Sequence, residues 1–259
     1  MNIGNIAGNI DFAQICLYIF WLFFICLIFY LRQEDRREGY PLIAEPEGQK
    51  PRGFFFIPDP KTFHLPHGGT KQAPDFELEK REMKIEKREV WPGAPFVPTG
   101  DPMADGVGPA SWAERSDTPD LTAEGEPKIV PLREAKDYEP APGEADPRGM
   151  VVIAGDRAEV GTVSDLWVDK AEHLIRYLEV SLSDNDRKVL VPMTMAGLVK
   201  PIGKADGRVH VNSIYGAHFA NVPKTARATQ VTLLEEEKIM AYFAGGTLYA
   251  DPKRQEPLL

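Results

Sequence analysis

Cysteine is nearly missing from this chain: Cys16 and Cys26 are its two thiols, and both fall inside one apolar run near the N-terminus. Ten positions apart on one helix, they are separated by about 15 Å of helical rise and cannot bridge each other. The residues beyond the run therefore hold no disulfide, thiolate metal site or cysteine nucleophile, which suits a reducing compartment. Histidine numbers five. His64-Leu-Pro-His67 has a proline between its imidazoles and no cysteine partner, so a loop pair without a ligand role is expected rather than zinc. Gly106-Val-Gly108-Pro109 is no phosphate loop, because Pro109 lacks an N–H and no Lys-Ser/Thr follows. No serine sits in a nucleophile elbow. Glu235-Glu236-Glu237 reads as a solvated helix face rather than a metal cage. The net charge of −9, all but Asp11's share of it after the run, argues against nucleic acid as a partner.

The run itself, Ile15 to Leu31, is 17 consecutive apolar or aromatic residues, extended by Phe12 and Ala13 across Gln14. About 20 helical residues cover the roughly 30 Å of a bilayer's hydrocarbon core, and a backbone there must satisfy its own hydrogen bonds. A cleaved signal peptide is disfavoured: no Lys or Arg precedes Arg32, and no Ala-x-Ala-like site follows. Arg32, Arg36 and Arg37 put the C-terminal side in the cytoplasm by the positive-inside rule. Phe20, Phe24 and Ile28 share one side and are expected to pack on a partner or on lipid.

Proline divides the remainder. None precedes Pro41, and 18 of the 23 lie between Pro41 and Pro147. Proline blocks helix interiors and central strands. Yet this stretch carries Phe54-Phe55-Phe56-Ile57, Phe63, Trp91, Phe96 and Trp112, which favours an extended segment burying aromatics over disorder. Glu77 to Glu89 reads equally as a short helix or a solvated strand. From Met150 the pattern becomes strand-like. Val160 to Val168 with a bulge, Leu174 to Leu182, Lys188 to Val191 and Arg208 to Asn212 are joined by turns at 184–186 and 203–207. They predict a small antiparallel barrel. A helix follows from about Gln230 to Ala244, capped by Thr229 or Thr232 and ended by Gly245-Gly246. The expected organisation is a tail at 1–11, a span at 12–31, an extended segment at 32–148, a barrel at 149–228 and a helix with tail at 229–259.

One acidic set is distinctive. Asp165, Asp169, Glu172 and Glu179 lie near His173 and Arg176. Carboxylates crowded in a partly desolvated site raise one another's pKa and pass protons near neutral pH, whereas well-spaced ones are ordinary surface charge. A second set, Asp117, Asp120, Glu124 and Glu126, lies in the proline-rich part and has the same two readings.

Several stretches together resemble the H subunit of the purple-bacterial photosynthetic reaction centre. They are Arg37-Glu-Gly-Tyr-Pro-Leu42, Pro60-Lys-Thr-Phe-His-Leu-Pro-His-Gly68, Pro98-Thr-Gly-Asp-Pro-Met-Ala-Asp-Gly-Val-Gly-Pro-Ala-Ser-Trp112, Leu166-Trp-Val-Asp169, Arg176-Tyr-Leu-Glu-Val180 and Val231-Thr-Leu-Leu-Glu-Glu-Glu-Lys-Ile-Met-Ala-Tyr-Phe-Ala-Gly-Gly246. The resemblance implies a single-pass subunit of the bacterial inner, intracytoplasmic membrane, with a periplasmic N-terminus and a cytoplasmic domain around a PRC-type β-barrel. It implies no catalytic site and no cofactor held by this chain. Its partners would be the L and M subunits, which carry bacteriochlorophyll, bacteriopheophytin, quinones, non-haem iron and carotenoid. Membrane lipid, a cytochrome subunit and a light-harvesting complex are further expected neighbours. The implied work is to cap L and M, shield the quinones and help deliver protons to the secondary quinone. Glu172 matches the family's proton-route carboxylate, with Asp169 and Arg176 in the same network. Where the family has two histidines after Pro-x-Leu, Pro119-Asp-Leu121 is followed here by Glu124 and Glu126. That departure takes away the basis for a zinc- or cadmium-sensitive histidine site and puts carboxylates of lower intrinsic pKa in the same role. The alternative is a membrane-anchored PRC-barrel adaptor outside photosynthesis.

Overall fold

Alternation and bulges in two long strands organise the structure, a computed structural model that describes residues 5–7, 10–39, 57–75, 81–91, 93–184, 187–199 and 207–255. The chain divides into two units, 1–81 with 89–94 and 82–88 with 95–259.

In the first unit a short pair, β1 (Asn5–Ala7) and β2 (Ile10–Asp11), leads into helix α1 (Phe12–Glu34). The Asp11 side chain caps this helix by accepting from the Gln14 N–H at 2.7 Å. The helix is apolar on all sides and buries no residue within the chain, and it is long and apolar enough to cross a membrane. Phe20 stacks on Phe24 at 6.0 Å, and Trp21 meets both rings edge-on. Strands β3 (Lys61–His64) and β4 (Thr70–Ala73) form a hairpin. Arg37 ties it to the helix end: its guanidinium donates to both Glu34 carboxylate oxygens and to the Asp59 and Ala73 carbonyls. His64 lies in β3 opposite Thr70.

In the second unit β5 (Ile85–Lys87) pairs with β6 (Phe96–Pro98), so the end of the Glu77–Glu89 stretch is strand, while 76–80 lies outside the described residues. A short helix α2 (Pro102–Asp105) follows. The main sheet contains β7 (Ile129–Pro131), β8 (Val151–Ala154), β9 (Glu159–Asp169), β10 (Leu174–Leu182), β11 (Lys188–Pro192), β12 (Gly197–Val199) and β13 (Arg208–Val211). Its order is β11-β10-β9-β8-β13-β12, with β7 on the far part of β9. One expectation needs correction: β13 pairs with β8 in parallel, so the barrel is not wholly antiparallel. The chain between these strands makes a long excursion through β9 to β12, which a parallel neighbour requires. No ladder joins β11 to β12 among the described residues. Most of the expected 203–207 turn, and Asn185 and Asp186 of the other, lie outside the described residues.

Helix α3 (Leu233–Tyr249) covers the sheet. Thr232 is its cap, with a reciprocal bond from the Thr232 N–H to the Glu235 side chain. The two glycines expected to end this helix lie inside it. A Cβ at Gly245 would come within 2.5 Å of Ala110 Cβ, and one at Gly246 within 2.7 Å of the Ser213 carbonyl oxygen. Close backbone approach, not helix termination, explains them. Ile239 and Phe243 are fully buried with Trp167, Leu178, Ile214 and Phe219, each burial contributing about 1.5–3 kcal/mol.

Candidate functional site

Two register shifts in the β9–β10 ladder build the site. Ile175 faces Val168 and Tyr177 faces Trp167, leaving Arg176 as the extra residue of a bulge; a second shift leaves Ser164 unpaired on β9. A bulge re-aims the side chains beside it. Here Tyr177 turns inward, 2 % exposed, while Arg176 stays at the surface.

At the end of β9 the chain turns sharply. Asp169, fully buried, accepts the Ala171 and Glu172 N–H groups on Oδ1 at 3.0 Å each, an Asx turn. His173 takes the left-handed conformation (φ 54°) that completes it, and its ring stacks on Tyr138 at 5.6 Å. The other side is supplied by the proline-rich segment. A tight loop closes through a Leu121–Pro127 bridge, and the Lys128 N–H bonds to the Asp120 carbonyl at 2.8 Å. Strand β7 then sets Ile129 opposite Asp169, and the Lys170 N–H bonds to the Lys128 carbonyl at 2.9 Å.

Lys128 is thereby placed among three carboxylates. Its Nζ lies 3.4 Å from Asp169 Oδ2, 3.6 Å from Glu172 Oε1 and 3.6 Å from Asp120 Oδ2. Asp169 Oδ2 is buried, and the Lys128 contact is an ion pair without hydrogen-bond alignment. Burial opposes the ammonium's charge, but the three carboxylates outweigh it and hold Lys128 above the ordinary lysine range.

Beside this cluster opens a cavity of about 640 Å³. Arg115, Lys128 and Arg176 line it together with Asp120, Glu236 and Glu237, on walls that include Leu174, Ile175 and Met240. The Tyr177 hydroxyl donates to Glu236 Oε2 at 2.9 Å. Burial pushes the Glu236 carboxyl up; the Tyr177 bond and the Arg176 charge pull it back only in part. Burial and the Glu236 charge also push the Tyr177 hydroxyl up, so it remains a donor.

The expected site residues are distributed unequally over this geometry. Asp169 and Glu172 meet at Lys128, and Arg176 lines the cavity. Glu126 is exposed and bonds Lys170 at 2.6 Å. Glu124 is exposed too, held below the usual carboxylate range by its own backbone N–H, the Thr122 side chain and nearby Lys170. Asp117 accepts from the Thr232 hydroxyl and so belongs to the α3 cap.

The first acidic set splits. Asp165 and Glu179 are cross-strand partners in a separate, closed network. Glu179 accepts from Arg133 (2.9 Å), Lys188 (2.8 Å), Ser164 (2.9 Å) and Trp167 Nε1 (3.1 Å), and Arg133 also bonds Asp165 at 2.8 Å. Burial would raise Glu179, but these donors hold it below the usual range.

Sequence reasoning missed Lys128, Tyr177 and Glu236. Glu236 carried a signal: Leu233, Glu236, Glu237 and Met240 are spaced three, one and three apart, one stripe of α3, and all four line the cavity. The run Glu235-Glu236-Glu237 is therefore not one solvated face. Glu235 closes the cap, Glu236 points into the cavity, and Glu237 pairs with Arg115 at 3.5 Å.

Among the described residues no group of three or more His, Cys, Asp or Glu side chains is arranged to hold a metal ion. Two family models match the chain. One, described as the N-terminal region of the photosynthetic reaction centre H-chain, matches residues 4–134. The other, the PRC-barrel domain, matches residues 144–218 and spans β8 to β13.

Proposed function

The chain belongs to the photosynthetic reaction centre H-chain family, and on that premise we propose that it caps the L and M subunits on the cytoplasmic side, shields their quinones and conducts protons toward the secondary quinone. The pigments, quinones and non-haem iron belong to those partners in this reading. This chain supplies side chains that bind, hold and pass protons. The apolar helix α1 fits a single-pass membrane anchor, and Arg32, Arg36 and Arg37 favour a periplasmic N-terminus. The match over 4–134 favours this reading over an adaptor built on the barrel alone.

The observation that carries the proton role is Lys128 among Asp120, Asp169 and Glu172, each within 3.6 Å, at the rim of the cavity. The Lys128 ammonium offsets part of the mutual repulsion of the three carboxylates. Glu172 and Asp120, both about half-exposed, reach solvent, whereas Asp169 is fully buried. A proton taken up at Glu172 has acceptors on both sides of Lys128.

Glu172→Gln in the assembled complex tests this. Flash spectroscopy should show slower proton-coupled reduction of the secondary quinone with unchanged primary charge separation. Unchanged kinetics at both steps would remove Glu172 from the route.

A further inference from the structure

We infer that the Glu236 carboxyl is a proton-exchanging site of the cavity, distinct from the Lys128 cluster. The geometry carries it. Glu236 projects from α3 into a 640 Å³ space, and one of its two oxygens, Oε2, is engaged by the Tyr177 hydroxyl at 2.9 Å. Oε1 takes up the proton, converting carboxylate to carboxylic acid, and returns it to the cavity; Tyr177 keeps its own proton throughout. The charged groups facing Glu236 nearly balance: Arg176 from β10, Arg115 and Lys128 from the proline-rich segment, against Asp120 from that segment and Glu237 from α3. Among the described residues no cation ion-pairs with Glu236 directly, unlike Glu237 with Arg115 or Glu172 with Lys128. Burial therefore decides the preference of this carboxyl, and it favours the neutral form. A negative charge arriving nearby raises its proton affinity further, so the site answers electron arrival by taking up a proton.

The use of this site rests on the proton-delivery reading above; its titration does not. Infrared titration of the assembled complex in the dark, with pigment absorption as the check on assembly, reads the carboxylic acid carbonyl band directly. The wild-type chain should show a carboxyl titrating above the ordinary glutamate value of about 4.3. Glu236→Gln should abolish that band. Tyr177→Phe, which removes a bond favouring the carboxylate, should move its midpoint upward by about one pH unit. A band unchanged in Glu236→Gln, or a Tyr177→Phe midpoint that stays or falls, overturns the inference. Flash-induced proton uptake separates the two readings. If Glu172→Gln slows uptake while the dark band survives Glu236→Gln, this inference alone fails. If the band is lost but neither variant alters uptake, the titrating site stands and proton delivery fails.

Discussion

Replacing Glu179 by Gln tests whether the second charge network is a stabilising clamp. Glu179 is 3 % exposed and accepts from four side chains, two of them cations. A glutamine keeps the shape and one acceptor oxygen. That oxygen can retain Arg133 and Trp167, but the amide nitrogen then faces the Lys188 ammonium, donor against donor. A charge-assisted bond contributes about 1.5–3 kcal/mol. Breaking a fully buried pair costs about 3–5 kcal/mol. The lower range applies here because the Arg133 and Lys188 side chains are 35 % and 55 % exposed and can return to water. The expected loss is about 2–3 kcal/mol, and at about 2–4 °C per kcal/mol the midpoint should fall by about 4–12 °C. Its pH dependence follows from the direction of the shift. A carboxyl depressed in the folded state contributes stability above its unfolded value of about 4.3 and loses it as pH falls through the folded value. The two proteins should therefore differ most near neutrality and converge in acid. Thermal unfolding of the full-length chain in detergent, followed by near-ultraviolet circular dichroism across that range, measures both. A midpoint within 1 °C of wild type near neutrality, or a gap that does not close in acid, would refute the reasoning, since about 1 °C is worth under 0.5 kcal/mol.

Two further outcomes follow from the packing around α3. Gly246→Ala gains up to about 1 kcal/mol of helix propensity, but its methyl would sit 2.7 Å from the Ser213 carbonyl oxygen, which is backbone and cannot turn aside. Overpacking at about 1–3 kcal/mol wins, so the variant should melt below wild type; an equal or higher midpoint would contradict this. Tyr242 is 4 % exposed and donates to the His218 carbonyl at 2.9 Å, and burial with the nearby Asp101 charge pushes its hydroxyl up to about 12. A phenol raised above its unfolded value of about 10 stabilises fully below that value and loses up to about 3 kcal/mol as pH rises through the folded one. Tyr242→Phe should flatten the alkaline limb of the stability curve at a cost of about 1 kcal/mol near neutrality, and an unaltered alkaline limb would assign the transition to another group.

Four strands of the main sheet (β9, β10, β11 and β13), the apolar helix and the start of α3 were legible because each is a local pattern. Strand alternation in Arg208–Val211, the continuous run in Phe12–Glu34 and the Thr232-to-Glu235 box need no distant partner to be read. The parallel β8–β13 pair was not legible, because pairing between strands so far apart in sequence depends on the path of the chain between them. The Gly245-Gly246 reading failed for a related reason. A glycine pair has the same local meaning at a helix end as at a tight crossing, and Ala110 and Ser213 decide between them from far away.

The site shows the same division more sharply. Asp169 and Glu172 were singled out by the family resemblance rather than by spacing, and the structure sets them in one turn whose own hydrogen bonds hold them together. Asp165 and Glu179 looked equivalent in composition, yet they sit with Arg133 and Lys188 in a network that lowers Glu179 and leaves it no tendency to hold a proton near neutrality. Acidic character alone therefore does not sort carboxylates by role; their partners do. Glu179 has two cations against it, Glu172 shares one with two other carboxylates, and Glu236, among the described residues, has the Tyr177 hydroxyl and no direct ion pair. That difference in cation contact goes with the shifts at its two ends: its donors hold Glu179 below the usual carboxylate range, and burial pushes Glu236 above it. The bulge at Arg176 helps to produce that difference, because the extra residue keeps a guanidinium at the surface while turning a phenol inward toward Glu236.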